Sequence, residues 1–205
     1  MNSSIKLLLW GIALLVAGPT TLVRAGVATG KPVPEFTFTD LAGKTHQLTD
    51  FRGKVVVLEW LNPACPYVVR HYRSGNMQST QAAAAADGAV WLQVNSTAMG
   101  DLDPEKSAEW QAKQGVVAKA YIRDQSGKLG RLLGAQTTPH CFVIGPDGTL
   151  VYQGAIDDQS QATQANTPAA HNYVKAALAA LKAGQPVAKA TTQPYGCGVK
   201  YGDGR

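Results

Sequence analysis

The sequence has little of what marks several specialised protein classes. Only three of its 205 residues are cysteine, which is too few for a small disulfide scaffold. Hydrophobic residues make up 45% and charged residues 16% of the chain, which excludes an intrinsically disordered protein. The composition therefore predicts one globular domain with a hydrophobic core, and a second domain is not required.

Two kinds of binding signature are also missing. The formal net charge is +5, but the Lys and Arg residues are scattered instead of clustered, so we do not expect a nucleic acid partner. No glycine-rich phosphate-binding loop occurs in the sequence. No nucleotide, flavin or metal cofactor is therefore implied.

Long apolar segments are absent as well. The N-terminal apolar run Leu7–Ala17 has 11 residues, well short of the roughly 20 that span a bilayer. It follows Lys6 and precedes Val23 and Ala25, which suit the −3 and −1 positions of a cleavage site. We predict that residues 1–25 are a signal peptide whose removal lowers the net charge to +3, because it takes away two basic residues and no acidic one. The mature chain would be periplasmic or secreted, without stable membrane insertion; an uncleaved anchor is the alternative.

Predicted strands and helices alternate along the rest of the chain. The strands cover Phe36–Thr39, Thr45–Leu48, Val55–Trp60, Ala89–Asn95, Ala120–Arg123, Phe142–Ile144 and Thr149–Tyr152, and the first two form a β-hairpin. The helices cover 64–86 with a break at 74–76, 103–114, 128–133 and 169–181, and a polar loop (157–167) precedes the last helix. This order predicts an α/β domain over residues 26–184, with a central mixed β-sheet flanked by helices, and an irregular C-terminal tail over 185–205.

Cys65 stands where a predicted buried strand meets a predicted helix. The strand Val55–Trp60 is almost entirely apolar, and Pro66 suits the first helical position because it lacks an N–H group. Free N–H groups at a helix N-terminus favour a thiolate, and Arg70 or Arg73 could add positive charge, so we expect a lowered pKa for Cys65. The thiolate is the form that attacks a disulfide or a peroxide oxygen. A small, buried and inert cysteine is the alternative.

Three motifs together resemble one protein family. They are Gly53–Leu58, Cys65-Pro66 and Thr137–Gly148. They resemble the redoxin branch of the thioredoxin-like superfamily, which contains the AhpC/TSA peroxiredoxins and the exported thioredoxins of the TlpA and ResA types. The resemblance extends over residues 31–184, and the segment Pro194–Tyr201 resembles the ending of exported bacterial members. It implies a thioredoxin-like fold and a thiol-dependent oxidoreductase.

The resemblance also implies roles for individual residues. Cys65 matches the first cysteine of thioredoxins and the peroxidatic cysteine of peroxiredoxins. Thr138-Pro139 matches the cis-proline that lies against this cysteine and offers backbone for substrate pairing. The residues expected to support the active site are Asn62, Pro66, Thr138, Pro139 and His140.

The chain departs from the family pattern at three positions. Val68 stands where thioredoxins carry their second cysteine, so local dithiol exchange is absent. Asn62 stands where peroxiredoxins usually carry Thr, and His140 lies on the strand where they carry Arg. Both of those groups help to activate peroxide in the family, so these departures put efficient peroxidase activity in doubt.

Cys197 is the expected partner of Cys65, but the sequence leaves its role open. It lies between two glycines in the tail and could swing onto Cys65 to resolve it. A permanent disulfide that pins the tail, worth about 4–5 kcal/mol for a loop of roughly 130 residues, is the alternative. Cys141, in a predicted central strand, is expected to be buried and inert, or else to resolve Cys65 itself. With an odd number of cysteines, at least one must stay free, pair between molecules or react.

Glu59 and the histidines allow further interpretations. Glu59 interrupts the apolar strand before Cys65, where thioredoxins keep a buried acid as a proton acceptor; it could instead reach an edge or a Lys. His71 and His140 lie near cysteines in the sequence, which allows a metal site like that of Sco-type copper proteins. Val69 stands where those proteins carry their second cysteine.

The function expected from these observations is that of an exported thiol-dependent oxidoreductase with antioxidant, peroxiredoxin-like activity or thiol–disulfide exchange activity. Cys65 would attack a peroxide or a protein disulfide, Cys197 would resolve the product, and a thiol reductant protein or small thiol would reset the pair. The alternatives are a non-catalytic thioredoxin-fold binding module with a structural Cys65–Cys197 disulfide, and a Sco-like metal chaperone.

Overall fold

The strands and helices follow the predicted α/β order. The computed structural model describes residues 26–98, 102–161 and 169–202; the predicted signal peptide and part of the predicted polar loop lie outside these ranges. The strands are β1 (Thr37–Thr39), β2 (Thr45–Gln47), β3 (Val56–Trp60), β4 (Val90–Asn95), β5 (Ala120–Arg123), β6 (Thr137–Thr138), β7 (His140–Ile144), β8 (Leu150–Gly154) and β9 (Cys197–Gly198). The helices are α1 (Pro66–Arg73), α2 (Asn76–Ala86), α3 (Pro104–Gln114), α4 (Lys128–Leu133) and α5 (Tyr173–Lys182).

Five strands form the central sheet, in the order β5-β4-β3-β7-β8. β3, β4 and β5 run parallel, whereas β7 is antiparallel to β3 and β8 is antiparallel to β7. The predicted mixed sheet and the predicted N-terminal hairpin, β1 with β2, are confirmed. Every residue of the central strand β3 is buried because both faces of the sheet are covered.

The alternation of side chains along β3 divides the core into two parts. Val56, Leu58 and Trp60 pack on one face, together with the hairpin and α4. Val57 packs on the other face, together with α1, α2 and α5. Successive side chains of a strand point to opposite faces, so both parts are built from one short sequence. Cys65 belongs to the second part, and the candidate site therefore lies on the face that α1 covers.

Two predicted segments differ from the structure. The last helix begins at Tyr173 and not at Ala169, because the Asn172 side chain accepts a hydrogen bond from the Lys175 N–H group and caps the helix there. The tail, predicted as irregular throughout, contains the strand β9, which pairs with β6. Within the described residues, no helix combines the length and the hydrophobicity that a membrane span requires.

Candidate active site

Cys65 lies at the junction of β3 and α1. Its backbone is extended, it occupies the N-cap position of α1, and Pro66 follows at the start of the helix. The side chain is only 2% exposed. The Val68 N–H group, one of those left free at the helix N-terminus, helps to lower the pKa of the thiol. The sequence therefore places the sulfur where a negative charge is favoured.

The strand β9 brings Cys197 to this position. Cys197 pairs with Thr138 of β6, and its Sγ atom lies 2.8 Å from that of Cys65, which is 132 residues away in the sequence. Both cysteines are thiols in this structure. Because the S–S bond length is about 2.0 Å, the two sulfurs need to approach by less than about 1 Å to form a disulfide.

The pKa values of the two thiols are shifted in opposite directions. Burial would raise the pKa of Cys65, but it is lowered because the Cys197 thiol, Thr138 and the N–H groups of Val68 and Cys197 hydrogen-bond its sulfur. Burial, the hydrogen bond to Cys65 and the negative charge of Cys65 raise the pKa of Cys197 to about 11. Cys65 therefore loses its proton more readily than Cys197, which stays protonated and can donate to it.

A cis-proline closes the other side of Cys65. The Thr138–Pro139 peptide bond is cis, as the resemblance implied. The Sγ atom of Cys65 lies 3.0 Å from the Thr138 carbonyl oxygen, to which the protonated thiol can donate. Thr138 therefore contacts both cysteines, through its carbonyl group on one side and its pairing with β9 on the other.

The hydrogen bonds of the Asn62 side chain go to its own loop and to Thr97, and not to the Cys65 sulfur. Its Oδ1 atom accepts from the Ala64 N–H group at 2.8 Å, and its Nδ2 group donates to Thr97 Oγ1 at 3.1 Å. These bonds fix the turn between β3 and α1. Asn62 thus supports the loop that carries Cys65.

His140 is buried at the start of β7. Its Nδ1 atom accepts from the Gln136 N–H group at 3.2 Å, and its ring lies 4.3 Å from that of Phe142. Burial lowers the pKa of His140 to about 3. The imidazole is therefore neutral near pH 7 and does not provide the positive charge of the arginine that peroxiredoxins carry on this strand.

Arg70 is not among the groups that lower the pKa of Cys65 most. The groups that lower it are the neutral hydrogen-bond donors around the sulfur. The Arg70 guanidinium group lies instead 5.5 Å from the ring centres of Tyr67 and Tyr195, and it donates to the Tyr195 hydroxyl at 3.2 Å. Arg70 thus contacts the tail that carries Cys197.

Cys141 and Glu59 face each other across β3 and β7 and are fully buried. Burial raises the pKa of Cys141 well above its usual value, and the charges of Glu59 and Asp157 add to this shift, which makes Cys141 a poor nucleophile. Burial also raises the pKa of Glu59. The Glu59 carboxylate accepts hydrogen bonds from four buried side chains, those of Tyr72, Gln81, Trp91 and Gln93, instead of reaching an edge or a Lys.

His71, considered from the sequence as a metal ligand, belongs to a different arrangement. Its Nε2 atom lies 3.1 Å from the Tyr195 hydroxyl, and its Nδ1 atom lies 3.0 Å from Asn76 Nδ2. In the part of the chain that the structure describes, no group of three or more His, Cys, Asp or Glu side chains could hold a metal ion. Sequence reasoning did not identify Tyr195 and Asp157 as residues near the candidate site. The one signal in the sequence was that Tyr195 lies two residues before Cys197.

Comparison with known proteins identifies the family. The model of the AhpC/TSA family matches residues 29–153. The chain belongs to the AhpC/TSA family. Membership confirms the resemblance to the redoxin branch of the thioredoxin-like superfamily.

Individual relatives support a thiol-disulfide oxidoreductase, and a solved structure supports the thioredoxin-like fold. The chain is 31% identical over 134 residues to the thiol-disulfide oxidoreductase ResA of Geobacillus thermodenitrificans, covering 62% of this chain and 69% of that one. It is 28% identical over 147 residues to the thiol:disulfide interchange protein DsbE of Vibrio cholerae, covering 71% and 74% of the two chains. The crystal structure of peroxidoxin BcpB from Mycobacterium tuberculosis superimposes with a TM-score of 0.53 at 18% identity, covering 76% and 96%.

Proposed function

We propose that this AhpC/TSA-family protein is an exported thiol-dependent oxidoreductase in which Cys65 is the nucleophile and Cys197 is the resolving cysteine. The observation that carries the proposal is the 2.8 Å separation of the two sulfurs. Their opposite pKa shifts support it, because a dithiol pair needs one thiolate that attacks and one thiol that follows.

The reaction with a disulfide substrate proceeds in two exchanges. The Cys65 thiolate attacks one sulfur of the substrate, forms a mixed disulfide and releases the other substrate sulfur as a thiolate. Cys197 then loses its proton and attacks the Cys65 sulfur, which closes the Cys65–Cys197 disulfide and releases the second substrate thiol. Two electrons pass from the cysteine pair to the substrate, and a thiol reductant, either a protein or a small thiol, returns them.

A peroxide would react with the same two cysteines. The Cys65 thiolate attacks the peroxide oxygen, breaks the O–O bond and becomes a sulfenic acid, while an alcohol or water leaves. Attack by Cys197 then forms the disulfide and releases water.

The surroundings of Cys65 favour the disulfide substrate over the peroxide. Asn62 stands where peroxiredoxins usually carry Thr but is bonded to its own turn, and His140, on the strand where they carry Arg, is neutral. We propose that Asn62, Pro66, Thr138, Pro139 and His140 shape the loops around Cys65. Protein disulfides, or small disulfides of similar reactivity, are the proposed substrate class.

We also propose that residues 1–25 direct export to the periplasm or the exterior, that residues 26–184 form the redoxin domain, and that residues 185–205 form the tail that carries Cys197. The apolar run Leu7–Ala17 with its flanking residues supports the signal peptide. An oxidising compartment is where a dithiol pair of this kind finds disulfide substrates.

Single cysteine variants test the proposed function. Two activities are measured for each variant. One is the reduction of a protein disulfide such as that of insulin, and the other is the peroxide-dependent oxidation of a dithiol. Cys65→Ser is expected to abolish both activities, whereas Cys197→Ser is expected to stop at the mixed disulfide with substrate, detected by mass spectrometry. Cys141→Ala is the matched control and keeps its activity, because Cys141 is buried and unreactive.

Two results contradict the proposal. Unchanged turnover in Cys65→Ser would exclude Cys65 as the nucleophile. A folded wild-type protein with no activity on either substrate, and a Cys65–Cys197 disulfide that reductants do not open, would leave the non-catalytic binding module as the function.

A further inference from the structure

The tail is held on both sides of the strand β9. On the C-terminal side, the Tyr201 side chain lies against Gly127 and Gly130, where an added Cβ atom would lie 2.5 Å from its ring and from its hydroxyl oxygen, respectively. The Tyr201 hydroxyl donates to the Ala135 carbonyl oxygen at 2.8 Å. The two glycines therefore leave room for this ring, and the end of the tail is fixed against α4.

On the N-terminal side, Tyr195 enters a polar site beside α1. Its hydroxyl donates to the Asp157 carboxylate, lies 3.1 Å from His71 Nε2 and accepts from Arg70 at 3.2 Å. The Tyr195 ring lies 6.0 Å from that of Tyr67. One tail hydroxyl thus meets three polar side chains from two other segments of the chain.

The partners of Tyr195 are themselves fixed. His71 is fully buried and Asp157 is 1% exposed. Asn76 joins them, because its Nδ2 group lies 3.0 Å from His71 Nδ1 and donates to Asp157 Oδ2 at 3.3 Å. The Asp157 carboxylate also accepts from the Gln159 N–H group at 3.0 Å. The site for the Tyr195 hydroxyl is therefore built into the folded domain.

The pairing of β9 with β6 is too short to hold the tail alone. Each strand has two residues, and two-stranded pairs of this size are not stable by themselves. Bringing Cys197 to Cys65 also closes a long loop, whose entropic cost must be offset before the sulfurs can meet. Tyr195, two residues before Cys197, is placed to offset this cost.

We propose that Tyr195 is a positioning residue for the proposed thiol chemistry. Bound to Asp157, His71 and Arg70, it holds Cys197 at reaction distance from Cys65 in the reduced protein and so raises the effective concentration of the resolving thiol. The inference rests on the proposed function, since it concerns the step in which Cys197 attacks Cys65.

Equilibration with glutathione tests this inference on Tyr195→Phe, which keeps the ring and removes the hydroxyl. One glutathione disulfide oxidises Cys65 and Cys197 to their disulfide and leaves as two reduced glutathiones, so the equilibrium constant gives the effective concentration directly. We expect this constant to fall at least about tenfold, or about 30 mV, because a buried hydrogen bond to a charged group is lost. The fraction of Cys65 trapped as a mixed disulfide with glutathione should rise accordingly, a change that a general loss of stability would not produce.

Two further variants separate positioning from general stability. Tyr121→Phe removes another buried tyrosine hydroxyl, which lies on the edge strand β5 and accepts from Asn95 Nδ2 at 3.1 Å, and should leave the constant within about twofold of wild type. Asp157→Asn keeps an oxygen that can accept from Tyr195 and should retain more of the wild-type constant than Asp157→Leu. An unchanged constant in Tyr195→Phe, or an equal fall in Tyr121→Phe, would overturn the inference. Failure of the wild-type protein to form the disulfide would instead overturn the proposed function.

Discussion

Cys65 and Cys197 show how hydrogen-bond direction sets the chemistry of two identical side chains. Burial raises the pKa of both thiols, yet only Cys65 receives N–H groups from the start of α1 and from the tail backbone. Cys197 donates to it, and its own pKa rises. The hydrogen bonds with Cys197 and Thr138, together with the Val68 N–H group at the start of α1, therefore make Cys65 the more acidic thiol of the pair.

His140 leads to a prediction about stability in acid. Its pKa is about 3 in the folded protein, below the usual 6.5, so the unfolded chain binds its proton first as the pH falls. The neutral His140 ring makes its full contribution to the free energy of unfolding above pH 6.5. This contribution is lost between pH 6.5 and 3, by an amount on the order of a few kcal/mol. We expect His140→Asn to flatten this part of the profile, because the Asn oxygen can accept from the Gln136 N–H group and does not titrate.

Denaturant unfolding at a series of pH values measures this effect. His71, whose pKa burial also lowers to about 3, titrates in the same range and remains in the variant, so the variant should lose part of the slope and not all of it. Identical slopes for wild type and His140→Asn would show that His140 is not held neutral by the fold.

The strand β9 depends on one glycine beside Cys197. Gly196 has a φ of 137°, and a Cβ atom there would lie 2.1 Å from the Thr138 carbonyl oxygen. Gly198, on the other side of Cys197, has no atom within 4 Å of a Cβ position. The backbone of the tail can therefore approach the cis-proline loop only with glycine at 196.

Substitution of these two glycines gives a matched pair of variants. Gly196→Ala is expected to release β9 from β6, whereas Gly198→Ala should leave it docked. Hydrogen exchange of the Val199 amide, which donates to the Gln136 carbonyl oxygen at 2.9 Å, reports the docking. Protection should fall at least about tenfold in Gly196→Ala; equal protection in the two variants would contradict this account of the tail.

Elements with strong local signals could be predicted from the sequence. The apolar run predicted β3, and the helix predicted over 103–114 matches α3, where the Asp103 side chain accepts from the Lys106 N–H group. β9 could not be predicted, because two residues carry no periodicity and their pairing depends on a distant strand. The start of α5 depended on the side chain of Asn172, which the pattern of apolar residues does not reveal.

At the scale of the whole molecule, the candidate site joins residues that the sequence keeps far apart. The position of Cys65 follows from local sequence, and the cis-proline follows from the family resemblance. Cys65 and Cys197 are in contact although 132 residues separate them in the sequence. Asp157, from a third segment of the chain, accepts a hydrogen bond from Tyr195. Such distances are determined only by the folded domain. The sequence could therefore identify Cys197 as a candidate partner of Cys65, but not its position relative to Cys65.

The midpoint potential of the Cys65–Cys197 disulfide tests the central claim most directly. The full chain is equilibrated in buffers of defined redox potential, the thiols are trapped, and the disulfide is mapped by mass spectrometry, with the far-UV spectrum recorded to show that the protein stays folded. The account predicts a reversible disulfide with a midpoint between about −270 and −120 mV, the range of thioredoxin-fold catalysts. A disulfide that stays closed below about −300 mV, or one that does not form at −120 mV, would contradict it.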